Sequence, residues 1–145
     1  MSYAGGSPGA KPPTRTGILR KILVIDRDEY WGPAVSLALE EIGYYLNWVK
    51  EPGEGRRRAF ERVYDLVILS DSLGEPAVHS ILEALSGHLR RPSVIVMTGA
   101  EATKGREPSC GGARCSILRR PCKVEDVVDA VRSLVGVPWS DRRGA

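Results

Sequence analysis

Tyr64-Asp65-Leu66-Val67-Ile68-Leu69-Ser70-Asp71 is the stretch on which the reading of the fold turns. Four consecutive apolar residues bounded by polar ones read as a short strand buried on both faces. The side chain that ends such a strand opens into a polar pocket, and here it is Ser70, followed at once by Asp71.

Working outward, Lys21-Ile22-Leu23-Val24-Ile25 and Ser93-Val94-Ile95-Val96-Met97 repeat the same continuous apolar character. Tyr45 to Val49 is a more amphipathic strand, and Ser116-Ile117-Leu118 a short one. Between them the apolar spacing changes to that of a helix. Trp31, Val35, Ala38, Leu39 and Ile42 follow the acids Asp28 and Glu29, which suit a first turn, and stop at Gly43. A weaker helix spans Glu54 to Val63, anchored by Ala59, Phe60 and Val63. After the turn Gly74-Glu75-Pro76 come Val78, Ile81, Leu82, Leu85 and Leu89. The clearest helix carries Val124, Val127, Val128, Val131 and Leu134 and ends at Gly136 and Pro138.

Strand-helix alternation with continuously apolar strands predicts a parallel sheet covered by helices on both faces. The pattern predicts an α/β, flavodoxin-like, doubly wound fold with five parallel strands in the order 2-1-3-4-5. In that architecture ligand chemistry gathers at the carboxyl ends of the strands, which selects Asp26-Arg27, Ser70-Asp71, Thr98 and Arg119-Arg120. The stretch from Glu101 to Cys115 contains Gly105, Pro108, Gly111 and Gly112. A glycine costs about 1 kcal/mol and a proline about 3 kcal/mol inside a helix. An irregular or shortened fourth helix is expected there, no more than a turn or so around Glu101–Lys104.

Residues 1–17, rich in Gly and Pro without apolar periodicity, read as a disordered tail; residues 18–136 read as one domain and 137–145 as a short C-terminal tail. A chain of 145 residues that is 42% hydrophobic buries one full core. The apolar runs are too short to span a bilayer and no secretory pattern opens the chain, so a cytoplasmic protein is expected. The net charge of +3 is spread over short arginine clusters without a continuous stripe, which does not indicate nucleic-acid binding. Cys110, Cys115 and Cys122 form no CxxC pair and read as free thiols, with a Cys110–Cys115 redox pair as the sharper alternative.

Four segments in order resemble the bacterial response-regulator receiver (CheY-like) domains over roughly residues 19–135. They are Ile22-Leu23-Val24-Ile25-Asp26-Arg27-Asp28, Tyr64 to Ser70, Pro92 to Gly99, and Leu118-Arg119-Arg120-Pro121. The resemblance implies a phosphoacceptor aspartate at position 70, a second acidic metal ligand at 27, a switch threonine at 98 and a lysine at 120, often before a cis proline bond. This chain has Ser70, Arg27 and Arg120 instead; Asp26 and Thr98 alone match.

A serine hydroxyl does not replace a carboxylate nucleophile organised by Mg²⁺. The resemblance with these departures implies an atypical receiver, or pseudo-receiver: a non-enzymatic module without metal, cofactor or small-molecule substrate. It would dock a protein partner in a bacterial signalling pathway without phosphorylation. Asp26, Arg27, Ser70, Asp71, Thr98 and Arg120 form the degenerate pocket, and Arg106, Cys110, Ile117 and Arg119 are candidates for the partner surface. Arg27 or Arg120 is expected to pair with Asp26, with Arg27 filling the place of the metal. Ser70 also reads as a core serine satisfied by backbone. Strand alternation points Asp71 to the face opposite Ser70, whereas a bulge would turn it inward as an alternative phosphoacceptor.

Overall fold

The computed structural model describes residues 18–99 and 115–140. Five strands, β1 (Lys21–Ile25), β2 (Tyr45–Val49), β3 (Leu66–Ser70), β4 (Ser93–Thr98) and β5 (Cys115–Arg119), form one sheet. Its order is β2-β1-β3-β4-β5 and every pairing is parallel, as the alternation predicts. Helices α1 (Trp31–Ile42), α2 (Pro52–Glu61), α3 (Glu75–Ser86) and α4 (Val124–Val135) pack on the two faces, and Asp71–Leu73 makes one 3₁₀ turn.

Alternation along the strands divides the core into two layers. Leu23, Ile25, Val67, Leu69, Val94 and Val96 meet Ala59 of α2 and Val78, Ile81 and Leu85 of α3. Ile22, Val24, Leu66, Ile68, Ile95 and Met97 meet Val35 and Leu39 of α1 and Val127 and Val131 of α4. Valine is a modest helix former, forfeiting up to ~0.7 kcal/mol against alanine. Full burial of such a side chain contributes about 1.5–3 kcal/mol, so tertiary packing decides α4. The chain enters α1 through Asp28, whose Oδ1 accepts the N–H groups of Tyr30 and Trp31 at 2.8 and 3.0 Å. It leaves through Gly43 at φ 125°, a conformation that only glycine adopts without strain.

Phe60 and Val63 do not anchor α2 as expected: both are exposed. The face that meets the sheet is built from Gly55 and Ala59, one turn apart and both buried, and Phe60 lies a further 100° around the helix. Leu89 is likewise exposed, since α3 ends at Ser86.

Regular structure continues past residue 136. Trp139–Ser140 pair antiparallel with Ile18–Leu19, and the Arg20 N–H donates to Pro138 O at 2.6 Å. The tail expected over residues 1–17 and the irregular segment expected after β4, including Arg106 and Cys110, lie outside the described residues.

Candidate functional site at the carboxyl ends of the strands

Register brings the candidate residues together. Ile25 pairs with Leu69, Ser70 with Met97 and Thr98 with Arg119, so Asp26, Ser70, Thr98 and Arg120 end four neighbouring strands on one rim. Asp26, Ser70 and Thr98 are 2%, 0% and 0% exposed, whereas Arg120 keeps about a third of its side chain in solvent. The Arg120–Pro121 peptide is cis, and the Arg120 N–H donates to Thr98 O at 2.8 Å.

The Arg120 guanidinium is the centre of the site. Its Nη2 donates to Ser70 Oγ at 2.7 Å and lies 3.6 Å from Asp26 Oδ2. Its Nη1 lies 3.5 Å from Asp71 Oδ1. One planar cation with several donors thus spans two carboxylates and a hydroxyl, a task suited to a guanidinium and beyond a single ammonium. The remaining carboxylate oxygens are also engaged: Asp26 Oδ1 accepts the Asp28 N–H at 2.9 Å, and Asp71 Oδ2 accepts the Gly99 N–H at 3.0 Å.

Two sequence expectations are corrected here. Arg27 does not fill the pocket. It follows Asp26 beyond the end of β1, is exposed and has no ion pair among the described residues. Asp71 does not point to the opposite face either. Strand alternation ends at Ser70, whose Oγ caps the 3₁₀ turn by accepting the Ser72 N–H at 3.1 Å, and the turn brings the Asp71 carboxylate back to Arg120. Ser70 is satisfied by side chains as well as backbone, since Ser72 Oγ lies 2.7 Å from its hydroxyl. Ser72 and Gly99 were not singled out from sequence. Serine at a strand end followed by Asp-Ser and Gly74 is the composition of a capped turn, and that signal would have found Ser72.

Thr98 Oγ1 is buried without a hydrogen-bond partner among the described residues. Of the candidate partner-surface residues, Ile117 is half-buried and Arg119 exposed. Cys122 is a free thiol packed against the α1–α4 layer, and burial pushes its pKa up.

The donor set does not fit a divalent cation. Mg²⁺ needs several hard oxygen ligands, and the carboxylate oxygens of Asp26 and Asp71 already face N–H donors or Arg120. Among the described residues, no group of three or more His, Cys, Asp or Glu side chains is placed to hold a metal ion.

Burial raises the Asp26 pKa above the ordinary carboxylate range, against the opposing pull of the Asp28 N–H and Arg120. Between about pH 4, where the unfolded carboxyl titrates, and its higher folded value, the native state therefore binds more protons than the unfolded state. Asp26 accordingly contributes stability that is present at low pH and lost as pH rises through the folded pKa. Asp26→Asn is expected to remove that loss. In urea unfolding from pH 4 to 8, stability of the native sequence relative to the variant should decline with rising pH; an opposite slope would refute the assignment.

No protein-family model matches the chain, and no curated protein matches it. Solved structures do match. A response regulator receiver protein from Burkholderia phymatum is 21% identical, with a TM-score of 0.67 over 85% of this chain and 98% of its own. The receiver domain of a sensor histidine kinase from Pseudomonas aeruginosa PAO1, with a magnesium ion coordinated in its active-site cleft, is 20% identical, with a TM-score of 0.67 over 82% of this chain and 99% of its own. A CheY-like receiver domain protein from Methanospirillum hungatei JF-1 is 20% identical, with a TM-score of 0.64 over 80% and 93%. Strand order, connectivity and these likenesses agree: the chain has the fold of the response-regulator receiver domains of two-component signalling.

Proposed function

We propose that this protein is an atypical receiver that works as a phosphorylation-independent interaction module, docking a protein partner in a bacterial cytoplasmic signalling pathway. The observation that carries this reading is the Arg120 guanidinium, bonded to Ser70 and set between Asp26 and Asp71. The groups that would receive a metal and a phosphoryl group instead satisfy one another. Asp71 deepens the effect, because its carboxylate takes the Gly99 N–H and the Arg120 charge that an incoming oxyanion would need. Without a ligand of differential affinity, no phosphorylation-driven shift between two states is available. Ile117 and Arg119 are proposed for the docking face, together with Arg106 and Cys110. No helix among the described residues is long and apolar enough to cross a membrane.

A second reading, acyl-phosphate formation on Asp71, is favoured by one observation: its carboxylate is turned into the pocket and is 23% exposed. Incubation with acetyl phosphate and Mg²⁺ followed by intact-mass measurement separates the two. The expected result is an unchanged mass. A hydrolysable phosphoryl adduct that disappears in Asp71→Asn would replace the first reading by the second.

A further inference from the structure

The sheet ends on one side at β2. Tyr45 donates its N–H to Arg20 O at 3.0 Å, and Val49 O accepts the Asp26 N–H at 3.1 Å. Residues 45, 47 and 49 therefore turn their backbone polar groups towards β1, and Leu46 and Trp48 turn theirs outward. Asn47 Nδ2 donates to Leu46 O at 3.1 Å. The Leu46 N–H and both backbone groups of Trp48 have no partner among the described residues. An edge of this kind is a template for another strand.

Beside that edge a cavity of about 280 Å³ opens between Lys21 of β1, Tyr45 and Asn47 of β2, and the segment Arg62-Val63-Tyr64. Leu46 and Trp48 pack in the α1–α4 layer, so alternation puts Tyr45 and Asn47 on the face of the sheet that α2 covers. Tyr64 is buried and fixes the base of the recess, its hydroxyl donating to Asn47 Oδ1 at 2.9 Å. Tyr45 and Val63 line it with apolar surface and are 46% and 54% exposed. Lys21 and Arg62 are exposed cations whose side chains make no hydrogen bond or ion pair among the described residues. Among the described residues no carboxylate lines the recess.

We propose that the β2 edge is a docking surface for an extended acidic segment of a partner protein, which adds to the sheet as a further strand. The Leu46 N–H and the backbone of Trp48 supply the main-chain hydrogen bonds. Every second side chain of the incoming segment then falls beside Tyr45 and Asn47, at the mouth of the recess. There its apolar side chains meet Tyr45 and Val63, and its carboxylates meet Lys21 and Arg62. Charge selects this occupant. A second copy of the chain, pairing β2 with β2, would bring two such cation pairs together with no carboxylate in either lining to offset them, and like charges set opposite one another are destabilising. An acidic segment gains from the same two cations. The surface lies at the sheet edge opposite to Ile117 and Arg119 of β5, so it is separate from the docking face proposed above and does not depend on the pocket around Arg120.

The test is an amide NMR titration of the full chain with three synthetic seven-residue peptides at constant ionic strength. The first alternates valine and glutamate on one face and carries threonine on the other. The second has lysine in place of glutamate. The third is the first with its backbone N-methylated throughout, which keeps the side chains and removes the N–H donors. With the first peptide, saturable shifts are expected at Lys21, Leu46, Trp48 and Val63, together with slowed hydrogen exchange of the Leu46 and Trp48 amides. The other two should bind at least tenfold more weakly. Arg62→Glu, at an exposed position without a side-chain partner, should keep the fold and weaken the acidic peptide about tenfold, since reversal replaces an attraction by a repulsion of similar size. No saturable shifts, equal binding of the lysine or the N-methylated peptide, shifts centred on Ile117 and Arg119, or affinity unchanged in Arg62→Glu would each overturn the proposal. So would slowing of the Leu46 and Trp48 exchange with protein concentration alone, which would make a second copy the occupant.

Discussion

Replacing Arg120 by alanine is expected to lower folding stability by about 2 kcal/mol, within a range of about 1–3 kcal/mol. Removing one partner of a fully buried ion pair costs about 3–5 kcal/mol, because the remaining charge is left uncompensated. The figure is reduced here because Arg120 keeps 29% of its side chain in solvent and its carboxylate distances are 3.6 and 3.5 Å. The larger loss falls on Asp26, whose carboxylate is almost wholly buried, and on Ser70, which loses its 2.7 Å donor. Asp71 is more exposed and keeps its Gly99 N–H.

Arg120→Lys keeps the charge but offers one point of attachment where the guanidinium serves three groups, so it should recover only part of the loss. Adding Asp26→Asn to Arg120→Ala should restore stability, since it removes the buried charge that the first change exposed. Urea unfolding at pH 7 measures all three variants. A cost below about 0.5 kcal/mol for Arg120→Ala, typical of a solvated surface position, would show that the guanidinium does not hold the pocket closed.

The parts of this molecule that were legible in the sequence are those governed by burial on both faces of a strand. Leu66-Val67-Ile68-Leu69 and Val94-Ile95-Val96-Met97 admit few other readings. Once they are parallel neighbours, their ends place Asp26, Ser70, Thr98 and Arg120 on one rim. Asp71 was misread because alternation was carried one residue past the end of β3, where Ser70 already caps a turn. Phe60 was assigned to the core as one of three apolar residues, with Ala59 and Val63, in a helix of weak pattern. The helix approaches the sheet through Gly55 and Ala59, and a face of small residues gives little signal in a hydrophobic pattern. The ribbon between Ile18–Leu19 and Trp139–Ser140 joins two-residue segments from distant parts of the chain, and no local periodicity marks it.

Gly55→Val is expected to cost about 2–4 kcal/mol, because the close approach of α2 to β1 leaves no room for a side chain. A Cβ at position 55 would stand 2.7 Å from Ile25 Cδ1 and Cγ2 and 2.9 Å from Cγ1. Ile25 is fully buried and lies on a strand held by β2 on one side and β3 on the other, so it cannot retreat. The helix must lift, or Ile25 must leave its rotamer; overpacking of this kind usually costs about 1–3 kcal/mol and occasionally more. Helix propensity moderates the result without reversing it, since a non-glycine residue recovers at most ~1 kcal/mol in a helix interior. Gly55→Ala, with the same contact and the full propensity gain, should therefore be the milder change. Ile25→Val removes the Cδ1 that meets the new side chain. A double-mutant cycle should return a coupling of about 1 kcal/mol in favour of the pair, within the range found for residues in contact. Because Asp26 follows Ile25 directly, displacement of this strand end should also shift the backbone resonances of Ser70 and Arg120. Urea unfolding that shows Gly55→Val within about 0.5 kcal/mol of the native sequence would mean that α2 does not pack on Ile25 at the distance described.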